Sequence, residues 1–179
     1  MQRLLRCMRI PLFREKTPVK DAKLNLSDFL PYLVNRVGVI IAEQFGEETL
    51  APHRISIAMW RVLAVLASAG AQRQIDLADL TSIDASTLSR IVTRLVRLGF
   101  ASRARSENSS REVVVALTAK GSALVARLIP PARDMEAEAA AGLSAEELAV
   151  VKRCLRRIYG NMQARPRRAS RSSVRRAAV

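Results

Sequence analysis

Six arginines in a short segment are the residues of this sequence that most clearly indicate a binding chemistry. They are Arg90, Arg94, Arg97, Arg103, Arg105 and Arg111. Glu107 is the only acidic residue between the first and the last of them. A guanidinium group is permanently charged and offers paired N–H donors to a phosphate or to a guanine edge. This local excess of positive charge predicts a polyanionic partner, with a solvated basic surface as the alternative interpretation.

The remaining positive charge lies mostly at the two ends of the chain. The net charge is +14 and the pI is about 11.3. Residues 1–23 hold seven basic and two acidic residues, residues 161–179 hold six arginines and no acid, and residues 24–160 hold 17 basic against 14 acidic residues. The arginine-rich tail has too few apolar residues to form a core and is predicted to be disordered, and the basic start is interpreted as a second arm beside one nearly neutral domain.

The sequence lacks the residues that characterise several classes of protein. Cys7 and Cys154 are far apart and His53 is the only histidine, so neither a disulfide framework nor a metal site is predicted. The sequence has no glycine-rich phosphate loop and no G-x-S-x-G motif, which argues against an enzyme and against a bound cofactor. No apolar run reaches about 18 residues and the basic start lacks the apolar region of a signal peptide, so we expect a cytoplasmic protein without membrane segments.

Apolar residues at helical spacing predict four helices before position 99. Ser27 is the expected cap of the first helix. The apolar face of this helix consists of Leu30, Val34, Val37, Ile41 and Phe45. Ser56 begins the second helix, which Gly70 ends, and a short third helix around 75–80 precedes a fourth over about 85–98. Two short helices joined by a tight turn are typical of a helix-turn-helix.

The pattern changes after the fourth helix. A β-branched run at 113–115 and the turn residues "SENSS" predict a two-stranded hairpin. Thr118 caps a long helix that Pro130 and Pro131 are expected to kink or break.

A capping box opens the last predicted helix. Its residues are Ser144 and Glu147, and the helix is expected to end at about Tyr159. The order of elements is therefore four helices, a hairpin, a long helix and a final helix.

The fourth helix and the hairpin tip are expected to contact the polyanion. In a helix-turn-helix the start of the second helix enters the major groove, where hydroxyls and arginines reach base edges and phosphates. Arg90, one turn into the helix, is expected to read bases, whereas Arg97 is better placed for a phosphate or for the helix C-terminus. Arg105 and Arg111 flank the hairpin tip, which suits the narrow minor groove. The candidate DNA-contacting residues are Ser86, Thr87, Ser89, Arg90, Arg94, Arg105 and Arg111.

The run "IDLADLTSIDASTLSRIVTRLVRLGFASRARSENSSREVVVALTAKG" resembles the core of the multiple-antibiotic-resistance-regulator (MarR) family of winged-helix transcription factors. The resemblance covers about residues 26–160. It implies a mainly α fold with a small β-hairpin wing, made of a winged helix-turn-helix lobe plus a helical dimerisation region. It also implies an obligate homodimer that binds double-stranded DNA at a palindromic operator. Typically such a protein represses transcription until a small-molecule effector, often an aromatic or phenolic acid, loosens it.

The same resemblance divides the chain into five segments. They are a basic N-terminal arm at 1–25, an N-terminal dimerisation helix at 26–53, a winged helix-turn-helix DNA-binding lobe at 54–117, C-terminal dimerisation helices at 118–161 and an arginine-rich tail at 162–179. One departure concerns the wing, where the family usually has Asp-Arg-Arg and this chain has Ser109, Ser110 and Arg111. Arg111 is therefore the expected wing contact, with Arg105 as a second candidate.

The effector site of the family lies between the dimer helices and the DNA-binding lobe. By this resemblance the candidate ligand-binding residues are Arg36, His53, Arg54 and Trp60, since an arginine or a histidine can meet a carboxylate. The alternatives are that Trp60 packs in the core and that His53 is simply exposed. For the whole chain, the alternative function is a non-specific architectural DNA-binding protein that relies on its basic arms. Either protein would act on the bacterial nucleoid.

Overall fold

The structure is a computed structural model that describes residues 23–106 and 109–164, without the side chains of residues 106–111. The chain divides into two compact units, with the boundary between Ile40 and Ile41. The described residues are mostly helical, with one three-stranded antiparallel sheet. The predicted fold class, mainly α with a small hairpin wing, is confirmed.

The unit before residue 41 contains a short turn and most of the first helix. Asn25 caps the 3-10 turn Leu26–Asp28 by accepting the Ser27 N–H, and helix α1 spans Leu30–Phe45. The prediction that Ser27 caps this helix is wrong, because the tight turn places the first helical residue at Leu30, two residues beyond the start that a cap at Ser27 requires. The exposed apolar side chains in this part of α1 are Leu30, Leu33, Val34, Val37, Val39 and Ile40.

The second unit begins with the end of α1 and leads into helix α2, Ile57–Ala69. Ser56 caps α2 by accepting the Met59 N–H at 3.3 Å, as predicted. Gly70 ends the helix with a φ of 75°, a backbone conformation that glycine adopts without strain. The buried side chains of α2 are Met59, Val62, Leu63 and Leu66, so this helix lies at the centre of the core.

Two short helices follow, α3 at Gln74–Thr81 and α4 at Ala85–Arg97. They confirm the predicted pair of helices joined by a tight turn. The predicted apolar face of α4 consisted of residues 88, 91, 95 and 98. Val92 is also fully buried, because α4 buries a wider stripe of its surface than that spacing describes. Ile91 and Leu98, at the edge of this stripe, are only half-buried.

The sheet has the order β1-β3-β2, with the longest strand in the centre. Strand β1 is Gln72–Arg73, β2 is Ala101–Ser106 and β3 is Ser109–Leu117. Ala101 lies opposite Leu117, so β2 and β3 form the predicted hairpin. Strand β1 was not predicted, because two residues carry no alternation that a sequence pattern could reveal.

Helix α5 spans Ala119–Ala139 and continues through Pro130 and Pro131. The prediction of a break at these prolines is wrong, while the alternative of a kink stays a prediction. The fixed φ of proline is compatible with a helix, so the helix continues despite the lost N–H donors and the crowding between each ring and the carbonyl group four residues before it.

Helix α6 spans Ala145–Gln163 and confirms the predicted capping box. Ser144 Oγ accepts the Glu147 N–H at 3.2 Å, and the Glu147 carboxylate accepts the Ser144 N–H at 2.8 Å. The helix continues four residues beyond the predicted end at Tyr159, and it contains no buried residue.

Candidate nucleic-acid interface

The first turn of α4 is fixed by its cap, Asp84. Its Oδ1 accepts the Ser86 hydroxyl at 2.6 Å and the Thr87 N–H at 2.9 Å. These hydrogen bonds, the one from Ser86 foremost, hold the pKa of the Asp84 carboxyl well below its usual range. The sequence analysis did not assign this cap, although an aspartate directly before a helix is a recognised start signal.

One side of α4 is polar and accessible. Ser86, Arg90 and Arg94 are exposed, whereas Thr87 and Ser89 are half-buried. The other side of the helix carries the side chains that pack in the core, namely Leu88, Val92 and Leu95. We call the polar side, formed by Ser86, Thr87, Ser89, Arg90 and Arg94, the α4 polar face. The structure thus brings five of the seven candidate DNA-contacting residues to one side of one helix.

Two arginines of this face have different surroundings. Arg90 Nη2 donates to Thr87 Oγ1 at 3.3 Å, so its side chain lies along the first turns of α4. Arg94 Nη2 is 3.5 Å from the carbonyl oxygen of Arg54, in the turn before α2. Arg54 is exposed and has a left-handed φ of 59°. Arg90 is therefore the more available of the two near the start of the helix.

The C-terminal end of α4 is held by residues from the motif "LTAKG". Lys120 Nζ donates to the carbonyl oxygen of Leu98 at 2.9 Å, and Thr118 Oγ1 donates to the carbonyl oxygen of Gly99 at 2.7 Å. These bonds satisfy two carbonyl groups just beyond the helix end, where no intrahelical partner exists. These two hydrogen bonds therefore hold the C-terminal end of α4 against the start of α5.

The wing is described only in part. Arg105 is exposed on β2 and lies opposite Val113 of β3. The side chain of Arg111, the expected wing contact, lies outside the described residues. Arg103 is also exposed and falls on the same side of the strand as Arg105, since alternate residues share a face. Arg103 belongs to the six arginines that predicted a polyanionic partner, but it was not among the candidate DNA-contacting residues.

An ion-pair network connects the wing to α3. Arg73 binds Asp76 with two hydrogen bonds, Nε to Oδ2 at 2.7 Å and Nη2 to Oδ1 at 2.9 Å. Its Nη1 donates to Glu112 Oε1 on β3 at 3.1 Å. The bonds to Asp76, and then those to Glu112, raise the pKa of Arg73 above its ordinary value. No sequence pattern indicates this network, because Arg73 and Glu112 are 39 positions apart.

The candidate ligand-binding residues remain a prediction. Arg36 lies in the unit before residue 41, with its guanidinium 5.8 Å from the ring centroid of Tyr32. In the second unit His53 is half-buried, and Trp60 packs edge-to-face against Phe45 with centroids 5.6 Å apart. The Trp60 contact favours the packing role that was the alternative for this residue.

Neither a metal cluster nor a membrane-spanning helix occurs in the described part of the chain. Within residues 23–106 and 109–164 no three His, Cys, Asp or Glu side chains form a group that could hold a metal ion. No single helix in those ranges is long and apolar enough to cross a membrane. Leu30–His53 and Ile57–Ala69 reach that length and composition only as a pair, bent by 79°.

Comparison with known proteins assigns the family. Residues 55–113 match the MarR family. The multiple antibiotic resistance protein MarR of Salmonella typhimurium is 30% identical over 130 residues, which cover 72% of this chain and 88% of that protein.

Solved structures agree with this match. A cysteine-to-serine mutant of Escherichia coli MarR, complexed with operator DNA, is 28% identical with a TM-score of 0.66, over 72% of this chain and 92% of that one. Bordetella bronchiseptica BpsR, whose DNA binding is regulated by 6-hydroxynicotinic acid, is 25% identical with a TM-score of 0.66, over 73% of this chain and 98% of that one. The chain belongs to the MarR family of transcriptional regulators, and its helices and wing form the winged-helix fold of that family.

Proposed function

We propose that this regulator is a ligand-responsive repressor that binds a palindromic double-stranded operator as a homodimer. The observation that carries the proposal is the α4 polar face, where Ser86 and Arg90 are exposed and Thr87 and Ser89 half-buried, on a helix whose other side is buried. Such a helix presents the groups that read base edges and phosphates in the major groove. The solved operator complex of Escherichia coli MarR supports this use of the fold.

The position of each residue on α4 or the wing determines the DNA contact that we assign to it. Arg90 reads a guanine through its O6 and N7 atoms, while Ser86, Thr87 and Ser89 contact neighbouring bases and phosphates. Arg94 supports this contact from the next turn. Arg105 and Arg111 carry positive charge into the adjacent minor groove. The segment 54–117 is then the DNA-binding lobe.

Two sets of exposed apolar side chains support self-association. In α6, Val151, Leu155 and Met162 recur on one side of the helix and are 43%, 43% and 60% exposed. Residues 30–40 of α1 expose a further set. Burying such side chains against a second copy is favourable, and a dimer sets two recognition helices about 34 Å apart, as successive major grooves require. Residues 26–53 and 118–161 are then the dimerisation segments.

The effector is an aromatic or phenolic acid, and the candidate residues of the second unit that would bind it are His53, Arg54 and Trp60. The cationic side chains would meet the carboxylate. Trp60 would border the site from its packed position against Phe45. Regulation of BpsR by 6-hydroxynicotinic acid supports an effector of this kind. The regulator acts in the cytoplasm, on the DNA of the nucleoid.

Replacement of Arg90 tests the proposal. Footprinting on the DNA that flanks the gene defines the operator, and titrations then compare operator with a random duplex. We expect Arg90→Ala to cost about 1 to 3 kcal/mol of operator preference, because alanine cannot make the bidentate hydrogen bonds to a base. Arg97→Ala, on the last turn of the same helix, is the matched control and should lower affinity for both duplexes alike. A wild-type protein without any preference would contradict sequence-specific repression and favour the architectural alternative.

A further inference from the structure

The C-terminal end of α6 contacts the turn between α3 and α4. The Tyr159 hydroxyl lies 3.2 Å from Ser82 Oγ, in that turn, and accepts a hydrogen bond from Gln163 Nε2 at 2.7 Å. These two contacts, that with Ser82 foremost, lower the pKa of Tyr159 from its ordinary value. Because Gln163 lies one helical turn beyond Tyr159, its hydrogen bond restrains the phenol in the direction of Ser82.

Ser82 has an unusual backbone conformation. Its φ is 55°, in the left-handed region, which costs free energy for a serine. The turn itself is closed by backbone bonds, from the Ser82 N–H to the Asp79 carbonyl oxygen at 3.2 Å and from the next N–H to the Ala78 carbonyl oxygen at 3.1 Å. Glycine would form the same bonds without strain. The hydroxyl that meets Tyr159 is therefore the feature that a glycine in this turn could not supply.

The turn leads directly into the N-terminal end of α4. Asp84, two residues after Ser82, is the cap of α4 and accepts the Thr87 N–H of its first turn. A shift of Ser82 therefore moves the end of α4 that the proposed function directs toward the bases. The other end of α4 is attached to the start of α5 through Lys120. Helices α6 and α5 thus hold α4 near its two opposite ends.

Tyr159 also lies beside the side of α6 that the proposed function assigns to self-association. It follows Leu155 by four positions and precedes Met162 by three, so the three side chains are neighbours on the helix surface. One phenol therefore lies between the expected dimer contact and the turn before α4. From this place a side chain can fix where α4 lies relative to the second copy of the chain.

We propose that Tyr159 is a positioning residue that holds α4 through Ser82 and thereby sets the half-site spacing that the dimer accepts. This inference rests on the proposed function, since a palindromic operator requires two α4 helices at a defined separation. One inserted base pair moves a half-site by about 3.4 Å and rotates it by about 35° around the DNA axis. A dimer with both ends of each α4 held follows such a change poorly, whereas a dimer without the contact between Tyr159 and Ser82 follows it more easily.

Operators of altered spacing test the proposal. Three duplexes carry the half-sites of the footprinted operator, with the natural spacing or with one base pair inserted or removed at the centre. We expect the wild type to prefer the natural spacing, and Tyr159→Phe and Ser82→Gly each to lower that preference by about 2- to 10-fold, the range that one hydrogen bond contributes. Ser68→Ala is the matched control, because it removes a hydroxyl that bonds only within α2, to the carbonyl oxygen of Val65. Variants that keep the wild-type preference would overturn the inference.

Urea denaturation separates positioning from stability. Ser82→Gly removes the hydroxyl but suits the left-handed φ, so its unfolding midpoint should be no lower than that of the wild type. A loss of spacing preference in this variant then has no origin in a less stable fold. A lower midpoint together with an unchanged preference would assign the contact to stability and overturn the inference.

The distance between the two α4 helices tests the position without DNA. Thr93→Cys, exposed on α4, carries a spin label in a Cys7→Ser, Cys154→Ser background. Double electron–electron resonance gives the distribution of distances between the two labels of the dimer. We expect Tyr159→Phe and Ser82→Gly to broaden it, and an unchanged distribution would overturn the inference. A dimer that prefers the operator but accepts all three spacings equally would refute only this inference, whereas absence of a dimer or of operator preference would refute the proposed function.

Discussion

Helices α4 and α6 carry similar side chains but use them differently. Both are amphipathic and both contain arginines. Helix α4 buries Leu88, Val92 and Leu95 completely inside its own lobe, whereas α6 buries no residue and leaves Leu155 43% exposed. The apolar side of α4 is therefore buried within one chain, and its polar side is accessible to a partner. The apolar side of α6 is exposed to solvent, which favours a second copy of the chain as the molecule that covers it.

The largest expected effect comes from placing a charge on the exposed apolar side of α6. Leu155→Asp should give a monomer, because an unpaired carboxylate in an apolar interface is costly. Operator affinity should fall by at least about 100-fold, since the second half-site no longer assists the first. Sedimentation and fluorescence anisotropy measure the two effects. Arg153→Asp, on the opposite side of α6, should remain a dimer, and a dimeric Leu155→Asp would remove the contrast between the helices.

The next largest effect is expected from replacing two glycines by alanine, which should change the free energy of unfolding in opposite directions. A Cβ on Gly121 would clash with the carbonyl oxygen of Phe100, just after α4, whereas nothing lies within 4 Å of a Cβ on Gly160 of α6. Gly121→Ala should lower the free energy of unfolding by about 1 to 3 kcal/mol through overpacking. Gly160→Ala should raise it by about 0.5 to 1 kcal/mol, because alanine favours a helix. Urea denaturation measures both, and equal effects would show that the α4 lobe is no more tightly fixed than α6.

The smallest expected effect concerns the ion pairs that orient the wing beside α4. Arg73→Met and Glu112→Gln should each weaken operator binding a few-fold at low salt, and the effect should fade as salt screens these exposed charges. The two changes alter the net charge in opposite directions. If Arg73 only attracted DNA and Glu112 only repelled it, Glu112→Gln would tighten binding, which would contradict a positioning role. The double variant should bind only slightly more weakly than either single one, because both substitutions remove the same ion pair.

The local parts of the fold were predictable because short-range chemistry decides them. Ser56, Gly70 and the Ser144 and Glu147 box begin or end helices through bonds to residues within four positions. The change from helical spacing to a β-branched run also located the hairpin. Strand β1 was missed because two residues are too short for a pattern.

The sequence by itself determined the family resemblance, the helix caps Ser56, Thr118 and Ser144, and the set of basic residues on α4 and the wing. Only the tertiary structure decided that α4 is packed on its apolar side while α6 is not. It also decided that Arg73 binds Glu112 and that Tyr159 meets Ser82, 77 positions away. Periodicity describes neighbours along a helix or strand, whereas these contacts depend on how separate elements pack in space. They therefore became visible only once the elements were assembled.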